Sequence, residues 1–174
     1  MKKAALIVVS IAILLASLGL MAFAPLPGPA APTRTPRAGQ QADQELTFTL
    51  QREQNFLQRQ QIHLTQAQQV AAKAQTLIDR ADAKGVDVTD LKNALAAFNS
   101  QVAAAKATHD QAASILSAKN GFDANNQVTD RQTAHQTLLD ARNALRQAHL
   151  TLQNAVLSLR TAAQNWRVAH KAKQ

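Results

Sequence analysis

Residues 138–166, LLDARNALRQAHLTLQNAVLSLRTAAQNW, contain two interleaved repeats of seven residues. One row is large and comprises Leu138, Leu145, Leu152, Leu159 and Trp166. The other row is uniformly small and comprises Ala134, Ala141, Ala148, Ala155, Ala162 and Ala169. Because seven residues make about two helical turns, both rows lie along one side of a long amphipathic helix. The alanines predict a close antiparallel contact with the helix that precedes it.

Similar seams predict two further helices upstream. The first, over about residues 43–83, repeats an apolar residue every seven positions: Leu50, Leu57, Leu64, Ala71 and Ile78. The second, over about 88–119, has the seam Leu91, Leu95, Phe98, Val102, Ala105, His109, Ala112 and Leu116. The third covers about 129–171, with Thr129 and Gln132 as a predicted capping box. Since short connections force antiparallel neighbours, we expect an all-α, coiled-coil-like, up-down-up bundle of three helices.

The N-terminus carries a membrane-targeting pattern. Lys2 and Lys3 precede an uncharged, mostly apolar run over residues 4–24. The run is long enough to span a bilayer, which takes about 17–25 residues. It ends in Ala22-Phe23-Ala24, a small-x-small cleavage pattern, but Pro25 follows directly. Residues 1–24 are therefore predicted to be either a signal peptide or a retained transmembrane anchor. Both place the rest outside the cytoplasm, secreted or membrane-anchored in a bacterial cell envelope.

Residues 25–42 separate this leader from the helices. They contain all five prolines of the chain, mixed with Ala, Thr and Arg. Such a segment favours an extended polyproline conformation over helix or sheet. We expect a disordered linker, acting as a stalk or a plain spacer, followed by the bundle over 43–174.

Charge suggests a partner class. The net charge is +8, and after Asp140 the chain has no acidic residue. Arg146, Arg160 and Arg167 share one heptad row, and with Lys171 we predict that they contact a polyanion, either a protein or an anionic envelope polymer. Attraction to the negative end of the helix dipole would also explain cations there. Nucleic acid is disfavoured because aromatic residues for base stacking are scarce.

Histidine provides a second candidate site. His109 occupies an apolar seam position, and folding the helices back places His63 opposite it and His135 within one to two turns. Three imidazoles in one layer could bind a divalent metal. A buried polar layer that fixes helix register is the other interpretation. The Asp and Asn residues of loop 121–130 suggest calcium as well, although turn chemistry also accounts for them.

No enzyme motif is present in the sequence. It lacks a Gly-rich phosphate loop, a Gly-x-Ser-x-Gly elbow and a His-Glu-x-x-His pair. The absence of Cys excludes disulfides and thiol nucleophiles. We therefore predict a non-enzymatic, cofactor-free interaction or structural module. The alternatives are a chaperone-like binder of exported proteins and a histidine-based metal-binding or sensing protein, and self-association stays open.

Two resemblances accompany these motifs. The segment 64–68, Leu-Thr-Gln-Ala-Gln, resembles the Leu-Thr-x-x-Gln motif of small periplasmic helical stress chaperones. The stretch 76–166 is similar to uncharacterised exported bacterial proteins with a leader, a linker and a helical bundle. Its parts are ADAKGVDVTDLKNALAAF, AKNGFDANNQVTD and LRTAAQNWR. The second resemblance implies the same domain plan and supplies no activity.

Overall fold

The computed structural model of the chain describes residues 38–171, which fold into three packed α-helices. These are α1 (Ala38–Asp82), α2 (Thr89–Ala118) and α3 (Arg131–Lys171). The predicted all-α three-helix bundle is confirmed, and no strand occurs among the described residues. The predicted leader 1–24 and residues 25–37 of the predicted linker lie outside them. Between residues 38 and 171, no helix combines the length and the apolar character needed to cross a bilayer.

The first helix begins earlier than predicted. It starts at Ala38, so residues 38–42 are helical instead of linker. No proline follows Pro36, and the helix is therefore not interrupted there. Arg131 at the start of α3 fastens this first turn: its Nη2 donates to the Gly39 carbonyl at 2.9 Å and to Asp43 Oδ2 at 3.0 Å.

The third helix is capped by Asp130 instead of the predicted Thr129. Asp130 Oδ1 accepts the backbone N–H groups of Gln132 and Thr133, at 2.9 and 3.1 Å. These hydrogen bonds, above all the one from Thr133, lower the pKa of the Asp130 carboxyl. The predicted capping box of Thr129 and Gln132 is wrong, because the Gln132 N–H donates to Asp130 Oδ1. The N–H groups of Thr129 and Asp130 both close the preceding loop on the Gly121 carbonyl, at 2.9 and 3.2 Å.

Hydrogen bonds between α1 and α2 define how these two helices pair. Near their connection, Lys92 Nζ donates to Asp82 Oδ2 at 2.7 Å. Further along α2, His109 Nε2 lies 3.1 Å from the Leu57 carbonyl oxygen. Residue numbers rise along α2 while those of its partners fall, so the two helices run antiparallel.

The second and third helices are tied at both ends. Thr137 Oγ1 donates to the Asn120 carbonyl at 3.0 Å, and Trp166 Nε1 donates to the Asp87 carbonyl at 2.8 Å. This pair is again antiparallel, and it makes the most extensive contact in the bundle. The first and third helices therefore run parallel.

The α3 seam is buried almost as predicted. The five members of the large row are all buried, as are Ala134, Ala141, Ala148 and Ala155. Beyond Ala155 the small row leaves the core, and Ala163 is buried where Ala162 was expected. A straight α-helix has 3.6 residues per turn and drifts about 20° per heptad, which rotates a late position out of the seam.

Candidate functional site: an arginine groove between α1 and α3

A buried amide sets the register of the two parallel helices. Gln60 occupies a heptad seam position of α1 and is 3% exposed. Its Nε2 donates to the Leu145 carbonyl of α3 at 3.0 Å. Burying an amide is costly unless it is hydrogen-bonded, so this bond favours one alignment of α1 against α3. That alignment determines which surface residues of the two helices become neighbours.

The neighbours form a groove rich in arginine, which we call the arginine groove. It encloses about 350 Å³. Its lining consists of Arg52, Glu53, Phe56 and Arg59 from α1, and Arg142, Leu145, Arg146 and His149 from α3. Arg52 and Arg59 stand seven residues apart on α1, and Arg142 and Arg146 stand four apart on α3. Each pair therefore lies on one side of its own helix.

The groove carries a formal excess of positive charge. Four arginines and one acidic residue, Glu53, line it, so the formal excess is three. The Glu53 side chain is only 8% exposed, and its Oε1 lies 3.5 Å from Arg52 Nη2. That distance is at the long limit for a hydrogen bond. Because one carboxylate stands against four arginines, Glu53 neutralises the groove only in part.

His149 and Phe56 form an aromatic contact in the lining of the groove. The His149 ring meets the ring of Phe56 edge-on, with centroids 6.1 Å apart and planes inclined at 64°. Partial burial, and secondarily the nearby His63, lower the pKa of His149 below its ordinary value of 6.5. The imidazole is thus mainly neutral at pH 7, and the charge of the groove comes from its arginines.

The structure does not bring the residues predicted to contact a polyanion together in one site. Arg146 lines the groove, whereas Arg160 is exposed and Arg167 half-buried. At about 1.5 Å per residue, these two lie roughly 21 and 31 Å farther along α3. The side chain of Lys171 is outside the described residues. Arg146 instead joins Arg52, Arg59 and Arg142, which the sequence analysis did not select.

The three candidate metal-binding histidines are not brought together. His109 is buried against Leu57, while His135 is exposed. With Gln60 level with Leu145, His63 lies near position 148 of α3, about 20 Å along the axis from His135. Among residues 38–171, no group of three His, Asp or Glu side chains could hold a metal ion.

His109 and loop 121–130 have other roles. His109 is buried between α1 and α2, which agrees with the interpretation that it forms a buried polar layer.

In the loop, Asp123 Oδ1 accepts the N–H groups of Asn125 and Gln127, both at 2.8 Å. Lys119 Nζ donates to Asn126 Oδ1 at 2.6 Å. These oxygens are used in turn formation.

Comparison of the chain with models of protein families, with curated proteins and with solved structures gives no match. The two resemblances stated above therefore stay predictions. In the segment that resembles the chaperone motif, Leu64 and Ala67 are buried and the polar residues between and after them are exposed.

Proposed function

We propose that this chain is a non-enzymatic interaction module on the outer side of a membrane, and that it binds an anionic group of its partner in the arginine groove. The observation that carries the proposal is the convergence of four arginines from two helices on one concavity. The extracytoplasmic position rests on the sequence of residues 1–24.

Guanidinium chemistry supports this choice of ligand. Arginine presents a planar fork of N–H donors that matches carboxylate and phosphate oxygens, often with two parallel bonds. Arginines from opposite helices, such as Arg59 and Arg146, can approach one anion from two sides. The four arginines are exposed to solvent, so binding should weaken as the salt concentration rises.

A titration with tripolyphosphate tests the proposal. The full chain, held in a neutral detergent, is titrated by calorimetry at about 0.1 M ionic strength, where the Debye length is about 10 Å. The double substitution Arg59→Gln/Arg146→Gln should weaken binding at least about tenfold, because a charge-assisted hydrogen bond contributes roughly 1.5–3 kcal/mol.

The matched control is Arg160→Gln/Arg167→Gln, which removes the same charge from the same chain. It should change affinity by less than about twofold, because these two charges lie roughly 21 and 31 Å farther along α3, more than a Debye length away at that ionic strength. Equal losses in the two variants would show that binding depends on net charge alone, and the groove would have no special role. No binding by the unsubstituted chain would overturn the proposal.

A further inference from the structure

The exposed apolar residues of α3 form one stripe. Among the described residues the large apolar side chains exposed to solvent are Phe48, Ile62, Leu139, Leu150, Leu157 and Val168. The last four lie on α3, at spacings of eleven, seven and eleven. With about 100° of rotation per residue, they fall within roughly 20° of each other around the helix. They therefore define an apolar row along its outer side, with polar residues between its members.

That row runs beside the arginine groove. Arg146 is seven residues after Leu139 and four before Leu150, so it stands between them on the same side of α3. The α3 row thus borders the groove on the side away from α1.

The exposed apolar residues of α1 border the groove on its other side. Phe48 precedes Arg52 by four residues, and Ile62 follows Arg59 by three. Residues at these spacings are surface neighbours on a helix. Since Gln60 points at α3, the rotation per residue places Phe48 and Ile62 outward, flanking the arginines. We call the surface made by the arginine groove and these six apolar residues the α1–α3 face.

The α1–α3 face is long and open. From Phe48 to the level of Val168 it extends about 50 Å, given the alignment of Gln60 with Leu145. It is two helices wide, and α2 packs behind it. Its carboxylates are few: Glu53 is buried in the groove, and Glu45 lies exposed near the Phe48 end.

We infer that the α1–α3 face docks on an anionic lipid surface, with the arginines at the headgroup phosphates and the six apolar side chains in the interface between headgroups and acyl chains. This inference rests on the proposed function and names the partner of the same groove. Basic residues interspersed with apolar ones on one face are the pattern of helices that lie in a membrane interface.

Two other occupants fit the face less well. A second copy of the chain would bring its own arginines against these. A single acidic helix would fill the groove, but it would leave most of the apolar row on α3 uncovered. A planar anionic surface matches both the charge and the 50 Å extent of the face.

The position of the face in the chain agrees with a membrane partner. Residues 4–24 are predicted to enter a bilayer, and thirteen residues, 25–37, connect them to the start of α1. Such a segment spans about 40 Å in an extended polyproline conformation. It is long enough for the bundle to lie along the membrane, in which case the segment is a spacer and not a stalk.

Site-specific labelling tests the inference, because the chain has no Cys of its own. Leu150→Cys labels the face, and Ser100→Cys labels an exposed position of α2 as the control. Each full-length variant carries a polarity-sensitive fluorophore and is reconstituted through its leader into phosphatidylcholine vesicles, with or without roughly one-third phosphatidylglycerol. Brominated acyl chains serve as the quencher.

Docking predicts a blue shift and quenching at position 150 in the anionic vesicles only, and neither effect at position 100. Adding Arg59→Gln/Arg146→Gln to the Leu150→Cys chain should abolish both effects. Unquenched fluorescence at position 150 in anionic vesicles overturns lipid docking. If groove-dependent tripolyphosphate binding persists in that case, the proposed function stands; if it is absent too, both fall. Shielding of position 150 by polyglutamate, without quenching by vesicles, would assign the face to an acidic polypeptide and also overturn the inference.

Discussion

The lowered pKa of His149, in the arginine groove, should make the free energy of unfolding depend on pH. This pKa lies below 6.5 in the folded chain because of burial and, to a smaller extent, His63. In the unfolded chain the pKa of His149 has its ordinary value of about 6.5. Below pH 6.5 the unfolded chain therefore binds the proton more strongly than the folded one does. The free energy of unfolding should fall as pH decreases from 6.5 to the folded pKa, and His149 adds no further change below that.

Urea denaturation of the chain at pH 7.5 and pH 5 measures this effect. The substitution His149→Gln should make the difference in unfolding free energy between the two pH values smaller. His135→Gln, at an exposed position of the same helix, is the control and should keep the difference of the unsubstituted chain. An unchanged difference in His149→Gln would contradict the assignment.

Glu53 limits the charge of the groove. The substitution Glu53→Gln keeps its size and removes the one carboxylate in the lining, which raises the formal excess from three to four. Tripolyphosphate should then bind up to about tenfold more tightly, equivalent to roughly 1.4 kcal/mol. Calorimetry measures the change, and Glu45→Gln, exposed and outside the groove, is the control. Weaker binding by Glu53→Gln would indicate that Glu53 positions Arg52 instead of opposing the ligand.

At the scale of elements, the connections depend on two glycines with different surroundings. Gly85 and Gly121 both have positive φ, +74° and +84°. A Cβ on Gly85 would meet nothing within 4 Å, whereas one on Gly121 would lie 2.2 Å from the backbone nitrogen of Ala134. Gly85→Ala therefore adds only the cost of left-handed backbone, about 1 kcal/mol.

Gly121→Ala adds a collision with the first turns of α3, and should cost about 3 kcal/mol or more. Chemical denaturation of the two variants compares them directly. Equal losses would mean that the loop between α2 and α3 can move away from α3 at little cost.

The helices themselves follow from local patterns that the sequence displays. The heptad rows predicted their number, approximate bounds and buried sides, because side-chain burial repeats with the helical period. The start of α1 was missed because Arg131, 88 residues away from Asp43, stabilises it. The cap of α3 was missed by one residue, since Thr129 and Asp130 are both good capping types. The fold of loop 121–130 decides between them, because it brings the Asp130 carboxylate to the first N–H groups of α3.

At the scale of the whole molecule, the groove depends on the alignment of two helices that are not consecutive in the chain. The pairs Arg52/Arg59 and Arg142/Arg146 are visible in the sequence as charges at helical spacing. Their convergence requires α1 and α3 to be parallel and aligned at Gln60 and Leu145. The apolar pattern of the two helices does not determine that alignment, because shifting one helix by seven residues would keep the apolar residues of both helices in contact. The heptad row of Arg146, Arg160 and Arg167 consequently predicted one of the four groove arginines.

The most direct measurement of anion binding in the groove follows the arginine Nε–Hε signals of the full chain by NMR during a titration with tripolyphosphate. The signals of Arg52, Arg59, Arg142 and Arg146 should shift together and saturate at one affinity, while those of Arg80 and Arg160 stay nearly constant. Shifts of similar size at all six arginines, or none at the four groove residues, would contradict the account.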